Sequence, residues 1–151
     1  MMILFLNGPN LNMLGIREPD IYGKGTYADL ETYIQDFCRE LDIQPTILQS
    51  NHEGVLVDAI QSAYGEMDGI IINPAAYTHT SVALLDALKS VALPTIEVHI
   101  SKVDEREDFR QVSYVRAACF ETIVGMGLDG YRKAIKDMAA YLREHKGAEK
   151  A

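Results

Sequence analysis

Apolar runs of strand length alternate along this chain with stretches whose apolar residues recur at helical spacing, and that alternation limits the possible folds more than any other feature. Met2 to Leu6 is the first such run. It holds no polar residue and ends in the turn-prone Asn7-Gly8-Pro9-Asn10, as expected of a strand covered on both faces. From Thr26 the period changes: Tyr27, Leu30, Ile34, Phe37, Cys38 and Leu41 form a helical stripe, and Thr26 with Asp29 offers a capping box. Pro45 to Gln49 reads as a second strand, and Val55, Ala59, Ile60 and Ala63 as the stripe of a second helix. Gly69 to Ile72, Pro94 to Ile100 and Phe120 to Val124 supply three more strands, with a helix near Ser81 to Ser90 between the first two. Tyr131, Ile135, Met138, Ala139 and Leu142 mark a last helix, before a polar tail from Lys146 to Ala151 that is expected to fray. Such alternation calls for parallel strands joined by right-handed crossovers. The expectation is a flavodoxin-like α/β fold, an open five-stranded parallel sheet with helices on both faces, in one domain over residues 1–151.

Charge narrows the function. Fourteen Lys and Arg against 22 Asp and Glu give a formal charge of -8, the wrong sign for coating a phosphate backbone or an anionic membrane. Neither nucleic acid nor membrane is an expected partner. An acidic protein that binds a small anion must build a local site from particular Arg, His or backbone N–H groups. Met1 to Leu6 lacks a basic flank and is too short for a signal peptide or a membrane span. Cys38 and Cys119 show no C-x-x-C or zinc-like spacing, which points to buried thiols in a cytoplasmic protein.

Ligands of open parallel sheets bind beyond the carboxyl ends of the strands, so the loops there are the places to search. After strand one, Asn7 to Gly25 is far longer than an ordinary connection and has the length of a lid or binding loop. It carries Tyr22 and, five residues earlier, Arg17. An isolated loop tyrosine is a surface aromatic. A guanidinium within reach of the phenol favours the phenolate, which makes Tyr22 a candidate general base. After strand three comes N-P-A-A-Y-T-H-T-S, Asn73 to Ser81, which places His79 near a helix N-terminus as either a capping residue or a ligand contact. Strand four ends in E-V-H-I-S, Glu97 to Ser101. Alternation puts Glu97 and His99 on one face, where a carboxylate orients or charges an imidazole, and burying such a pair for packing alone is costly.

Other readings fit less well. A metal site of Glu97, His99 and His79 lacks two ligands at fixed spacing on one element. Gly125, Gly127 and Gly130 spell the dinucleotide pattern G-x-G-x-x-G, but at the last strand rather than the first, with no following strand to carry the acidic partner. These glycines are expected to let the last helix pack closely on the sheet. A phospho-acceptor receiver needs an Asp at the end of strand one or three, where none stands. A flavin or nucleotide module needs a phosphate-cradling loop where Pro9, Asn10 and Asn12 sit, and a flavin absorption band would mark it.

Taken together, N-G-P-N-L-N-x-L-G-x-R-E-P-x-x-Y-G, N-P-A-A-Y-T-H-T-S, E-V-H-I-S, R-E-D-F-R and G-x-G-x-x-G-Y resemble the type II 3-dehydroquinate dehydratases, from Leu6 to about Tyr141. The resemblance implies a flavodoxin-like enzyme with neither metal nor cofactor. It would remove water from 3-dehydroquinate to give 3-dehydroshikimate, by anti elimination through an enolate. By motif, Tyr22 would be the base, Arg17 the lid residue that keeps it ionised, and His99 the acid oriented by Glu97. Asn10 would hold a water near the enolate oxygen. Substrate contacts would come from Asn73, His79, Ser101 with the N–H of Ile100, and Arg110. Asp86 would reach a neighbouring subunit's site, in trimers packed into a dodecamer. One departure is Lys102, where the family usually has Asn.

Overall fold

Continuous apolar runs become strands buried on both sides. The computed structural model describes residues 1–16 and 25–149, with side chains through residue 145. Strands β1 (Met2–Asn7), β2 (Gln44–Gln49), β3 (Gly69–Asn73), β4 (Thr95–His99) and β5 (Glu121–Val124) pair in parallel in the order β2-β1-β3-β4-β5. The flavodoxin-like expectation holds.

Four α-helices flank the sheet among the described residues: α1 (Tyr27–Glu40), α2 (Glu53–Ser62), α3 (Val82–Val91) and α4 (Asp129–Glu149). The side-chain period of two along a strand sorts the core into two layers. Ile3 and Phe5 of β1 and Ile71 of β3 face Leu30 and Ile34 of α1 and Tyr131, Ile135 and Met138 of α4. Leu4, Leu6, Ile70 and Ile72 face Leu56 and Ile60 of α2 and Leu84 and Leu88 of α3. The capping box at Thr26 is present, with Asp29 N–H donating to Thr26 Oγ1 and Thr26 N–H to Asp29 Oδ2. Ser81 caps α3 by accepting from the Leu84 N–H at 3.0 Å.

One expectation needs correction. The inward stripe of α2 is Leu56 and Ile60, continued by Ala63 just past its end, whereas Val55 is 42% exposed. Leu56 and Ile60 stand four apart and face the sheet together, and Val55, one residue back, is turned about 100° away. The last helix is described through Glu149. No described helix is long and apolar enough to cross a membrane.

The strand order changes direction between β1 and β3, the switch point where open α/β sheets bind ligands. There the two turns lock together. Gly8 N–H donates to the Asn73 carbonyl at 2.8 Å, and a Cβ at Gly8 would stand 2.5 Å from the Pro74 oxygen. Only glycine permits this approach of backbone to backbone.

Candidate active site

A cleft open to solvent lies over this switch point. Its floor is made by residues after β1 and β3, and one wall by the end of β4 and the turns that follow it. Asn10, Asn73, His79, His99, Ile100, Ser101 and Arg110 all line it. Seven residues drawn from the ends of three strands therefore meet in one place, as the strand-end rule requires.

Glu97 and His99 are the centre of the wall. Both are buried, and His99 Nε2 lies 2.6 Å from Glu97 Oε2. The carboxylate accepts, so Nε2 carries hydrogen and Nδ1 is left as the ring's other site. Thr78 Oγ1 donates to the same Glu97 oxygen at 2.6 Å and Ser113 Oγ at 2.8 Å. Arg116 Nε and Thr122 Oγ1 reach Oε1 at 3.4 and 3.3 Å. Burial works to raise the Glu97 pKa, but the bond and charge of His99, with the Thr78 and Ser113 hydroxyls, outweigh it and bring the carboxyl to about 2. Glu97 is thus a fixed anion that holds the imidazole of His99 in one orientation.

His79 is half-buried, and its Nδ1 lies 2.6 Å from the Val112 carbonyl, to which it donates. Burial lowers its pKa against the raising effect of that bond, so the ring is neutral at pH 7 and Nε2 is an acceptor for a ligand hydroxyl. Arg110 lines the cleft with its Nε held by Glu107 at 2.6 Å. Asn10 adopts a left-handed conformation, φ 69°, with its N–H bonded to Asn51 Oδ1 at 3.0 Å. Asp86 is exposed on α3 and does not line its own chain's cleft. Arg17 and Tyr22 lie outside the described residues.

The glycine pattern after β5 has a second task beyond close packing. Gly130 does pack against Val98 and Ile123, as its position in the sequence suggests. Gly125 and Gly127 instead take positive φ, 75° and 59°, and turn their N–H groups onto the carbonyls that end β4. Gly125 N–H reaches the His99 and Ser101 carbonyls at 3.2 and 3.1 Å, and Gly127 N–H reaches that of Ile100 at 3.1 Å. The loop that follows β4 is thereby fixed. Lys102 is exposed, its stem crosses Gly125, and it does not line the cleft.

Several residues here escape a reading of the sequence. Thr78, Ser113, Arg116 and Thr122 gather on Glu97 from four different segments, and Arg106 lines the cleft beside Arg110. Thr78 and Arg106 stand inside motifs that the sequence does single out. Nothing in the spacing marks the others. Among the described residues, no three His, Cys, Asp or Glu side chains are grouped to hold a metal ion.

The sequence matches the family described as Dehydroquinase class II over residues 1–139. A 3-dehydroquinate dehydratase of Endomicrobium trichonymphae is 51% identical over 140 residues, covering 93% of this chain and 98% of that one. A catabolic 3-dehydroquinase 1 of Aspergillus terreus is also 51% identical, covering 94% of this chain and 93% of its own length. The crystal structure of a type II dehydroquinase from Butyrivibrio crossotus superposes with a TM-score of 0.90 at 52% identity, over 91% of this chain and 97% of that one. With its sheet order, its strand-end cleft and these likenesses over nearly the whole length, the chain belongs to the class II dehydroquinase family.

Proposed function

We propose that this chain is a hydro-lyase that removes water from 3-dehydroquinate to give 3-dehydroshikimate. The observation that carries the reading is the buried Glu97–His99 pair at the cleft wall, held at 2.6 Å with the carboxylate locked in its ionised form. Loss of a hydroxyl beta to a ketone needs a base for the proton alpha to the carbonyl and an acid for the departing oxygen. Tyr22, ionised by Arg17, takes that proton, and the C–H electron pair becomes an enolate. Its oxygen is met by a water held at Asn10. The enolate then expels the hydroxyl, the C–O bond breaks, and the imidazolium proton on His99 Nδ1 leaves with it as water. Base and acid act from opposite faces of the ring, which makes the elimination anti.

Binding uses the rest of the cleft. The substrate carboxylate sits on the Ser101 hydroxyl and the N–H groups of Ile100 and Ser101, which answers how a protein of charge -8 holds an anion. Asn73, His79 and Arg110 take the ring hydroxyls. Asp86 acts on a neighbouring subunit's cleft in trimers packed into a dodecamer, a role supported by its exposure and by its absence from its own cleft. Cys38 and Cys119 are both unpaired thiols, in keeping with a cytoplasmic site of action. Biosynthetic and catabolic dehydroquinases share this one reaction, and the catabolic 3-dehydroquinase 1 of Aspergillus terreus is as similar to the chain as the 3-dehydroquinate dehydratase of Endomicrobium trichonymphae. The test is direct: purified protein mixed with 3-dehydroquinate develops the ultraviolet absorbance of a conjugated enone. A flat trace at substrate concentrations that saturate a reference enzyme rejects the activity.

A further inference from the structure

Beneath the cleft floor runs a chain of buried polar groups that the elimination itself does not use. Asn7 and Asn73 end β1 and β3, are directly paired in the sheet, and point into the same layer, where α4 covers them. Tyr131, in the first turn of α4 and fully buried, sits between their side chains. Its hydroxyl donates to Asn7 Oδ1 at 2.7 Å and accepts from Asn73 Nδ2 at 3.1 Å. Asn7 Nδ2 continues to the Tyr27 hydroxyl at 3.4 Å, and Asn73 Oδ1 accepts from the Ala75 N–H at 3.1 Å.

The direction of this chain is forced. A phenol has one proton, and Tyr131 commits it to Asn7, so it can offer Asn73 only a lone pair. Asn73 must answer with its NH2 end, and its oxygen is then turned to Ala75. Ala75 is a non-glycine residue at φ 53°, a conformation that costs energy and needs such support. Burial raises the Tyr131 pKa well above the ordinary 10, so the phenol keeps its proton and the chain its direction at any working pH. One N–H of the Asn73 amide remains, on a residue that lines the cleft.

We propose that Tyr131 is a positioning residue for substrate binding: through the hydroxyl it shares with Asn7 and Asn73, it fixes which end of the Asn73 amide faces the ligand. This rests on the functional reading above, in which Asn73 contacts substrate. Without the hydroxyl, only the Ala75 N–H still distinguishes the two ends of the Asn73 amide, and whenever the amide flips it presents an oxygen where a donor is needed. In that scheme Tyr131 takes no part in the proton transfers assigned to Tyr22 and His99, so the loss belongs to binding rather than to chemistry.

The test compares steady-state kinetics of wild type, Tyr131→Phe, Asn7→Ala, the double variant and Ile135→Val with 3-dehydroquinate. Ile135 is a buried residue of α4 outside the chain and serves as the control for simple loss of packing. Tyr131→Phe and Asn7→Ala are expected to raise KM about five- to tenfold with kcat little changed, the size of one hydrogen bond. The double variant should be hardly worse than either single one, because both cut the same chain. Ile135→Val should lower the melting temperature and leave KM alone. If Tyr131→Phe does not fold, Asn7→Ala decides. Wild-type KM in a folded variant, or a loss divided between KM and kcat, overturns the inference while an active wild type keeps the functional reading. An inactive wild type overturns both.

Discussion

Under the proposed mechanism Glu97 serves chemistry rather than packing. A lone carboxylate at zero exposure is strongly disfavoured, and here five donors compensate it, one of them the imidazole it serves. Glu97→Gln keeps the volume but replaces one accepting oxygen by a donor that must face other donors. We expect turnover to fall by about a hundredfold, the usual size of a lost acid–base contribution, with a smaller change in KM. Normal turnover in this variant would separate Glu97 from the acid. The base gives a parallel test. Tyr22→Phe should abolish turnover with the fold intact, and Arg17→Ala should depress kcat far more than it raises KM. The double variant should be no worse than Tyr22→Phe alone, as for groups acting as one unit. Independent, additive losses would mean that Arg17 does not act through the phenol.

Elements carry the site by bringing loop backbones into contact. At Gly8 a methyl group would meet the Pro74 carbonyl at 2.5 Å, and neither partner is a side chain that can swing away. Gly8→Ala should therefore cost about 2 kcal/mol or more and shift the floor where Asn10 and Ala75 meet, raising KM as well. Gly54, in the first turn of α2, has nothing within 4 Å of such a methyl. Gly54→Ala should stabilise by about half a kcal/mol and leave kinetics untouched, because helix glycines lose more freedom on folding than alanine does. Denaturant midpoints of the two variants settle the contrast, and equal shifts would contradict it. At this scale much was legible in advance. The continuous strand runs, the Thr26–Asp29 box and the stripe of α4 follow from local periods of two and 3.6 residues. Val55 misled because a ten-residue helix carries too few turns for its apolar face to be chosen from spacing alone.

For the molecule as a whole, what could be read from sequence and what could not divide along chain separation. Glu97 and His99 stand two residues apart, so their shared face follows from strand geometry. Thr78 and Ser113 reach Glu97 from 19 and 16 residues away, and Tyr131 meets Asn7 across 124, so only the folded sheet brings them together. Those distant partners make acid stability a global test of the site. An unfolded Glu titrates near 4.3, whereas Glu97 in the fold titrates near 2. The folded value is depressed, so its contribution is fully present above about pH 4.5 and is lost as pH falls toward 2. The gap corresponds to roughly 3 kcal/mol at neutral pH. In wild type, stability measured by urea unfolding should fall steeply between about pH 4.5 and 2, and in Glu97→Gln that part of the slope should be missing. Both proteins must be compared at one protomer concentration, since assembly adds its own stabilisation. The variant should be the less stable at pH 7, and the difference between the two should shrink as the pH drops. Parallel curves over that interval would show that the five bonds on Glu97 do not hold its charge in the folded state.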